Sequence, residues 1–187
     1  MEALKIALDI TDEKILDRIK TVSKQVHFDK NEIIQNLGEE QNYIYLIRKG
    51  IARSYYLDLD GNDITKTFMK ENDFCVGESL FEDEPSIQCF EALEEVEAIR
   101  IKSSELKQII LSDTKLTRVY IGFLERNLIY KMQRESMFQI MSATDRYLHF
   151  HKLFGPIEKR VNQSYIASYL GIAPESLSRI KRTIKQK

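Results

Sequence analysis

The sequence predicts an α+β protein: a β-rich N-terminal unit, one long helix, and a small all-α unit toward the C-terminal end. Three observations predict it. Between Val26 and about Ile101, short apolar runs alternate with turn signals at the spacing of a small barrel or sandwich. From about Thr114 to Met141 runs a helical stretch with no proline and one glycine. From Gln163 to about Arg182 the apolar residues are spaced as two short helices around a glycine. A chain of 187 residues holds one full core and a small second unit.

The elements follow in order. Asp12 to Val26 reads as a helix that Thr11 can cap, with Ile15, Leu16, Ile19 and Val22 at helical spacing. Strands are expected at Tyr43–Ile47, ending at Lys49-Gly50, and at Ile51–Leu59, ending at the hairpin signal Asp60-Gly61. Ile64–Met69, Phe74–Val76, Cys89–Leu93 and Val96–Ile101 complete the set. Ser103 begins a short helix that ends near Leu111. The long helix carries two apolar stripes. One holds Leu116, Tyr120, Phe123, Tyr130, Met137 and Met141; the other holds Ile121, Leu124, Leu128 and Phe138. One face suffices to pack on the chain's own β unit, so the second points to a partner helix and a homodimer. We assign the dimer interface to Leu116, Tyr120, Phe123, Tyr130 and Met137, with Asn127 and Arg134 as register-setting polar interruptions. The alternative is one wide stripe in a monomer core. Ser142 or Thr144 caps the next helix, which carries Tyr147, Leu148, Phe150 and Phe154 and stops at Gly155-Pro156.

Composition excludes several classes. At 43% hydrophobic and 30% charged residues, the chain is an ordinary globular one. It has no run of 18 apolar residues, so no membrane span is expected. Met1-Glu2-Ala3-Leu4-Lys5 lacks the apolar core of a signal peptide, which points to the cytoplasm. Cys75 and Cys89 are therefore expected as reduced thiols. No histidine lies near them, and His27, His149 and His151 make no cluster, so neither a metal site nor an enzyme is expected.

The C-terminal segment carries the functional signal. From Pro156 to Lys187 there are seven basic and two acidic residues, a net of +5 against −6 for the remainder, which suits a local anion contact such as DNA phosphate. Ile166 and Leu170 share a helix face, and Ala167 is small where a second helix must approach. Gly171 can end the first helix, Ile172 can plug the turn, and Pro174 suits the first position of the next helix. Leu177 and Ile180 return to the shared core, leaving Glu175, Ser176, Ser178 and Arg179 outward. That is what a helix-turn-helix requires. Ala173 occupies the cap position, and a missing cap side chain costs about 1 kcal/mol, so packing must hold this helix start. Arg179 can pair with guanine O6 and N7, and Glu175 can accept from a cytosine amino group. Ser176 and Ser178 can reach bases or phosphate; Lys181, Arg182, Lys185, Ser164 and Tyr165 suit phosphate.

A β-rich unit, a long helix and then a helix-turn-helix resembles the cyclic AMP receptor protein/FNR family of bacterial transcription regulators. The resemblance covers nearly the whole chain. It rests on Tyr45-Leu46-Ile47-Arg48-Lys49-Gly50, on Asp60-Gly61, on Phe74-Cys75-Val76-Gly77-Glu78-Ser79-Leu80-Phe81, and on Pro174-Glu175-Ser176-Leu177-Ser178-Arg179. It implies a double-stranded, jelly-roll-like β-roll over 1–112, a dimerisation helix over 113–142 and a DNA-binding domain over 143–187. It also implies a homodimer on a palindromic site of double-stranded DNA, with RNA polymerase as a further candidate partner. Two departures qualify it. The family's phosphate-binding cassette continues to an Arg followed by Ser or Thr, whereas Pro85-Ser86-Ile87-Gln88-Cys89 has no Arg. From Glu71 to Glu97 there are ten acids and no Lys or Arg, a surrounding that repels a phosphate. Gly77, Glu78, Ser86 and Gln88 thus read as a degenerate effector cassette, with no cyclic nucleotide as cofactor and an unknown small molecule as effector. No β-hairpin wing accompanies the motif, so phosphate grips are fewer and dimerisation must compensate. The expected function is a homodimeric, sequence-specific transcription regulator not controlled by cyclic AMP. The alternative is a ligand-sensing or protein-interaction β-roll without DNA binding.

Overall fold

The computed structural model describes residues 2–8, 10–77, 80–81 and 84–185, the last by its backbone only. Two helices, α1 (Glu2–Leu8) and α2 (Glu13–Thr21), precede the strands β1 (Ser23–Phe28), β2 (Ile33–Gln35), β3 (Tyr43–Lys49), β4 (Ala52–Leu57), β5 (Asp63–Met69), β6 (Phe74–Cys75), β7 (Cys89–Ala92) and β8 (Val96–Lys102). Then come α3 (Ser103–Leu111), α4 (Thr114–Ile140), α5 (Ala143–Phe154), a 3₁₀ turn (Gly155–Ile157), α6 (Gln163–Leu170) and α7 (Pro174–Lys185).

The strands form two four-stranded sheets, ordered β1-β8-β3-β6 and β2-β7-β4-β5, with every pair antiparallel. Apart from the β4–β5 hairpin, strands that follow one another in sequence lie in opposite sheets, which makes the double-stranded roll. Alternation along the strands builds two cores from the first sheet. Ile47, Val96 and Ala98 face inward with Ile34, Ala52, Met69 and Phe90. Ile44, Leu46, Ile99 and Ile101 face outward, under Leu16, Ile19, Leu106 and Leu116 of the helices. The Asp60-Gly61 hairpin forms as expected, with the Asp58 carboxylate accepting from the Asp60 and Asn62 amides and Gly61 at φ +81.

Two boundaries differ from the sequence reading, and one open choice is resolved. Asp12, not Thr11, caps α2 by accepting from the Lys14 amide. That helix ends at Thr21 rather than running to Val26, because residues 23–28 find a ladder partner in β8. β2 and α1 went unread: the first is three residues long, and the second buries only Leu4. Ser142, rather than Thr144, caps α5 by accepting from the Asp145 amide.

The assigned dimer face requires a correction. Leu116 and Met137 are buried at 3% exposure within this chain. Tyr120 packs on Phe81, and Phe123 on Phe74. The Tyr130 hydroxyl bonds to those of Thr67 and Tyr169. Of the polar interruptions, Arg134 serves the same contact by donating to the Tyr169 carbonyl, while Asn127 donates back to the Phe123 carbonyl of its own helix. This 3.5-residue repeat resembles a coiled-coil seam, yet it lies along the chain's own roll and helices. The other stripe is open, with Ile121, Leu124, Leu128 and Met132 exposed by 46–61%.

Candidate nucleic-acid interface and the roll interior

Asn162 caps α6 by accepting from the Ser164 amide at 3.0 Å. Gly171 ends it at φ +65, and a Cβ there would lie 2.8 Å from the Phe138 ring. The position therefore needs glycine both for its left-handed backbone and for its close approach to α4. The Ile172 amide bonds back to the Ala167 carbonyl at 3.0 Å, and the Ser176 and Leu177 amides both reach the Ala173 carbonyl. Leu177, Ile166, Ala167 and Leu170 are fully buried together, with Ile180 and Ile184 packed against them.

A polar tie also holds the middle of α7. Glu158, 7% exposed, accepts from Tyr147 Oη at 2.9 Å and from His151 Nδ1 at 2.7 Å, and pairs with Lys181 Nζ at 2.7 Å. Burial works to raise its pKa, but these donors and the Lys181 charge outweigh it and hold the carboxyl below its usual range. Lys181 also donates to Gln163 Oε1 at 2.7 Å. It therefore fastens α7 to α5 and α6, and its expected phosphate role is corrected. Tyr165 is corrected as well: its ring covers the Arg53 guanidinium at 3.6 Å, toward the roll.

What stays outward is one stripe of α7. Glu175, Ser178, Arg179 and Arg182 are exposed at i, i+3, i+4 and i+7, one face of a helix. Ser176 lies half-buried at its flank, and Ser164 is exposed at the start of α6. The Lys185 side chain lies outside the described residues. Among the described residues, neither Arg179 nor Arg182 has a carboxylate partner.

The sequence reading missed how this unit is fixed to the roll. Phe68 of β5 sits among Phe150, Phe154 and Tyr169 at ring distances of 5.7–6.0 Å. Ser168 Oγ accepts from the Thr65 amide at 2.9 Å. Arg53, 2% exposed, pairs with Asp63 and Glu91 and lies between the Tyr55 and Tyr165 rings. Arg160 pairs with Glu71 and Glu94. Phe68 looked like ordinary strand core, and Arg160 like part of a DNA-facing charge excess. No local pattern marks either as a fastener.

Within the roll, Ser86 and Gln88 are buried to 2% and 1% exposure. They are tied together by a 2.9 Å bond from Ser86 Oγ to the Gln88 carbonyl. A Cβ on Gly77 would lie 2.3 Å from Gln41 Oε1, so the Gln41 side chain would have to swing aside. Glu78 lies outside the described residues. The expectation that only acids surround the cassette is corrected: Lys66 enters from β5 and donates to Gln88 Oε1 at 3.0 Å. Both cysteines are free and buried. Burial pushes the Cys75 thiol up, and Cys89 Sγ accepts from the Leu37 amide. No described helix is long and apolar enough to cross a membrane.

The architecture is thus a β-roll followed by one long helix and a small helical unit that ends in α6, a turn and α7. Residues 25–113 match the cyclic nucleotide-binding domain family. No curated protein sequence matches. Among solved structures, the fold is similar to FixK2 from Bradyrhizobium japonicum, at 22% identity and TM-score 0.77, covering 88% of this chain and 85% of that one. It is also similar to the c-di-GMP responsive global regulator CLP of Xanthomonas campestris, at 14% identity and TM-score 0.75, covering 94% and 92%. A third similar structure is the Thermus thermophilus Catabolite Activator Protein, at 15% identity and TM-score 0.62, covering 96% and 87%.

Proposed function

We propose that this protein is a homodimeric, sequence-specific DNA-binding transcription regulator that is not controlled by cyclic AMP. The observation that carries the reading is the free stripe of α7. Leu177 and the Glu158–Lys181 tie hold the helix from behind, and Glu175, Ser178, Arg179 and Arg182 stand in front of it. Arg179 is the guanine reader, Glu175 the partner for a cytosine amino group, and Arg182 and Ser164 the phosphate contacts. The open stripe of α4 supplies the partner surface. Two copies related by a twofold axis then present two such helices to a palindromic site. The fold shared with FixK2, CLP and the catabolite activator supports this reading. RNA polymerase is a further partner on the same reading, and the cytoplasm its place.

Selection of bound sequences from a random duplex pool tests the function directly. A palindromic consensus is expected, with Arg179→Ala losing about 1–3 kcal/mol of base discrimination per half-site and the same thermal unfolding midpoint. No enrichment of any sequence, or unchanged discrimination in the variant, would sink the assignment.

Independence from cyclic AMP rests on the cassette. Ser86 is satisfied within the chain, the Gln88 side-chain oxygen accepts from Lys66, and the segment supplies no arginine fork for a phosphate. Titration with cyclic AMP is expected to give no saturable heat and no change in affinity for the selected duplex. Micromolar binding would refute this part of the reading.

A further inference from the structure

Directly opposed residues of an antiparallel sheet share a side, so register alone maps the inner face of the sheet β1-β8-β3-β6. At one end the rows are apolar: Phe28 opposite Val96, then Val26, Ala98 and Ile47. Two residues further along, the row is Lys24, Arg100, Tyr45 and Cys75, and beyond it Lys102 lies opposite Tyr43. Three cations thus meet on adjacent strands, an arrangement that is destabilising when like charges are directly opposite. None of the three has a carboxylate within ion-pair distance among the described residues. The half-buried Arg100 guanidinium lies 4.3 Å over the Tyr43 ring.

Beside Tyr43 and Tyr45 opens a cleft of about 450 Å³, bordered also by Ile34, Gln35, Glu39, Glu40 and Asn42. That volume lies within the range of small-molecule sites. Gln35 is 8% exposed, and its Nε2 has no hydrogen-bond partner. A buried donor left without a partner is destabilising, and an acceptor placed in this cleft would remove that cost. Two carboxylates also border the space. Glu39 is committed to the Asn36 amide and side chain, which leaves Glu40. The lining is therefore two phenol rings, Ile34, an unmet donor and two carboxylates; the Arg100 guanidinium lies beside it, stacked on the Tyr43 ring and with no carboxylate partner among the described residues.

We propose that this end of the roll binds a small planar carboxylate, its ring against Tyr43 and Tyr45 and its carboxylate on Arg100. Arginine pairs with carboxylate through two parallel N–H donors, and its plane stacks on aromatic faces; the Tyr43 contact already uses the second property. The site is separate from the cassette, since neither Lys66 nor Gln88 lines it. It is coupled to the cassette nonetheless. The Ser86 amide donates to the Glu39 carbonyl, and the Gly38 amide donates to the Ser86 carbonyl, so a ligand that orders the loop also acts on the cassette.

The test is calorimetric titration of the full chain with benzoate, benzylamine and inorganic phosphate in parallel. Saturable binding of benzoate alone is expected, weakened about tenfold or more by Arg100→Gln and less by Arg100→Lys. Lys66→Gln is expected to leave it within about twofold. Thermal unfolding shows that each variant is folded. Stronger binding of benzylamine or phosphate, equal affinity in Arg100→Gln, loss in Lys66→Gln, or no saturable heat with benzoate would each overturn the proposal. No DNA is present, so this outcome stands apart from that of the DNA-binding reading.

Discussion

Leu128→Glu is expected to leave the protein monomeric where the parent forms the proposed dimer, and to lower affinity for the selected duplex by about 100-fold or more. Leu128 is 59% exposed in the single chain, and Ile121, Leu124 and Met132 are exposed beside it along α4. Their spacing keeps all four on one side of the helix, opposite a face whose own contacts are complete. In the proposed dimer a twofold axis brings this stripe against its copy, so one substitution places two carboxylates at one seam. Burying an unpaired charge costs several kcal/mol after relaxation, more than a stripe of this size can offset. Each half-site then binds alone, and the gain from tethering two reading heads disappears. Gln133→Glu adds the same charge at another exposed position of α4 and is expected to leave both properties unchanged. Sedimentation and band-shift titration of the two variants decide the matter. A dimeric Leu128→Glu with full DNA affinity would remove α4 as the interface.

That prediction names a different face from the one the sequence suggested, and the reason is physical. Leu116, Tyr120, Phe123, Tyr130 and Met137 carry the larger side chains and the cleaner 3.5-residue repeat, so they read as the seam. Periodicity reports that a face is buried but not what buries it. Phe74, Phe81 and Tyr169, the residues that cover this face, stand 39 to 49 positions from Phe123, Tyr120 and Tyr130, beyond any window in which the pattern could be judged. Local signals fared better. The Asp60-Gly61 turn, the Ser142 cap, Gly171 and Pro174 each act within a few residues, and all were legible. The four-residue spacing from Glu175 to Arg179 fixed the outward stripe of α7 for the same reason. Lys181 and Tyr165 were misjudged because charge and aromaticity suit either phosphate or protein. Only the fold brings Glu158 to the one and Arg53 to the other. Lys66 escaped notice because the cassette was judged from its own segment, and β5 delivers the cation from outside it.

Phe68→Ala is expected to cost about 3–5 kcal/mol, the usual loss for emptying a buried phenylalanine site, or roughly 10 °C in midpoint for a chain of this size. Phe68 is 3% exposed and stands on the roll, but its ring partners Phe150, Phe154 and Tyr169 all belong to the helical unit. The residues that neighbour it in space are fasteners of another kind: Arg53 against Tyr165, Thr65 to Ser168, and Arg160 between Glu71 and Glu94. Arg160 and its partners are partly exposed, so salt screens that contact, whereas the Phe68 contact is insensitive to salt. Its loss therefore separates two possibilities. If the roll and the helical unit fold as one core, the parent unfolds in a single transition and Phe68→Ala splits it, with proteolysis opening first between Gly155 and Asn162. Ile64→Ala, on the same strand but 45% exposed, is expected to stay within about 0.5 kcal/mol. A Phe68→Ala protein within about 1 kcal/mol of the parent and unfolding in one step would mean that the reading head is held by its polar contacts alone. Its orientation on DNA would then change with ionic strength.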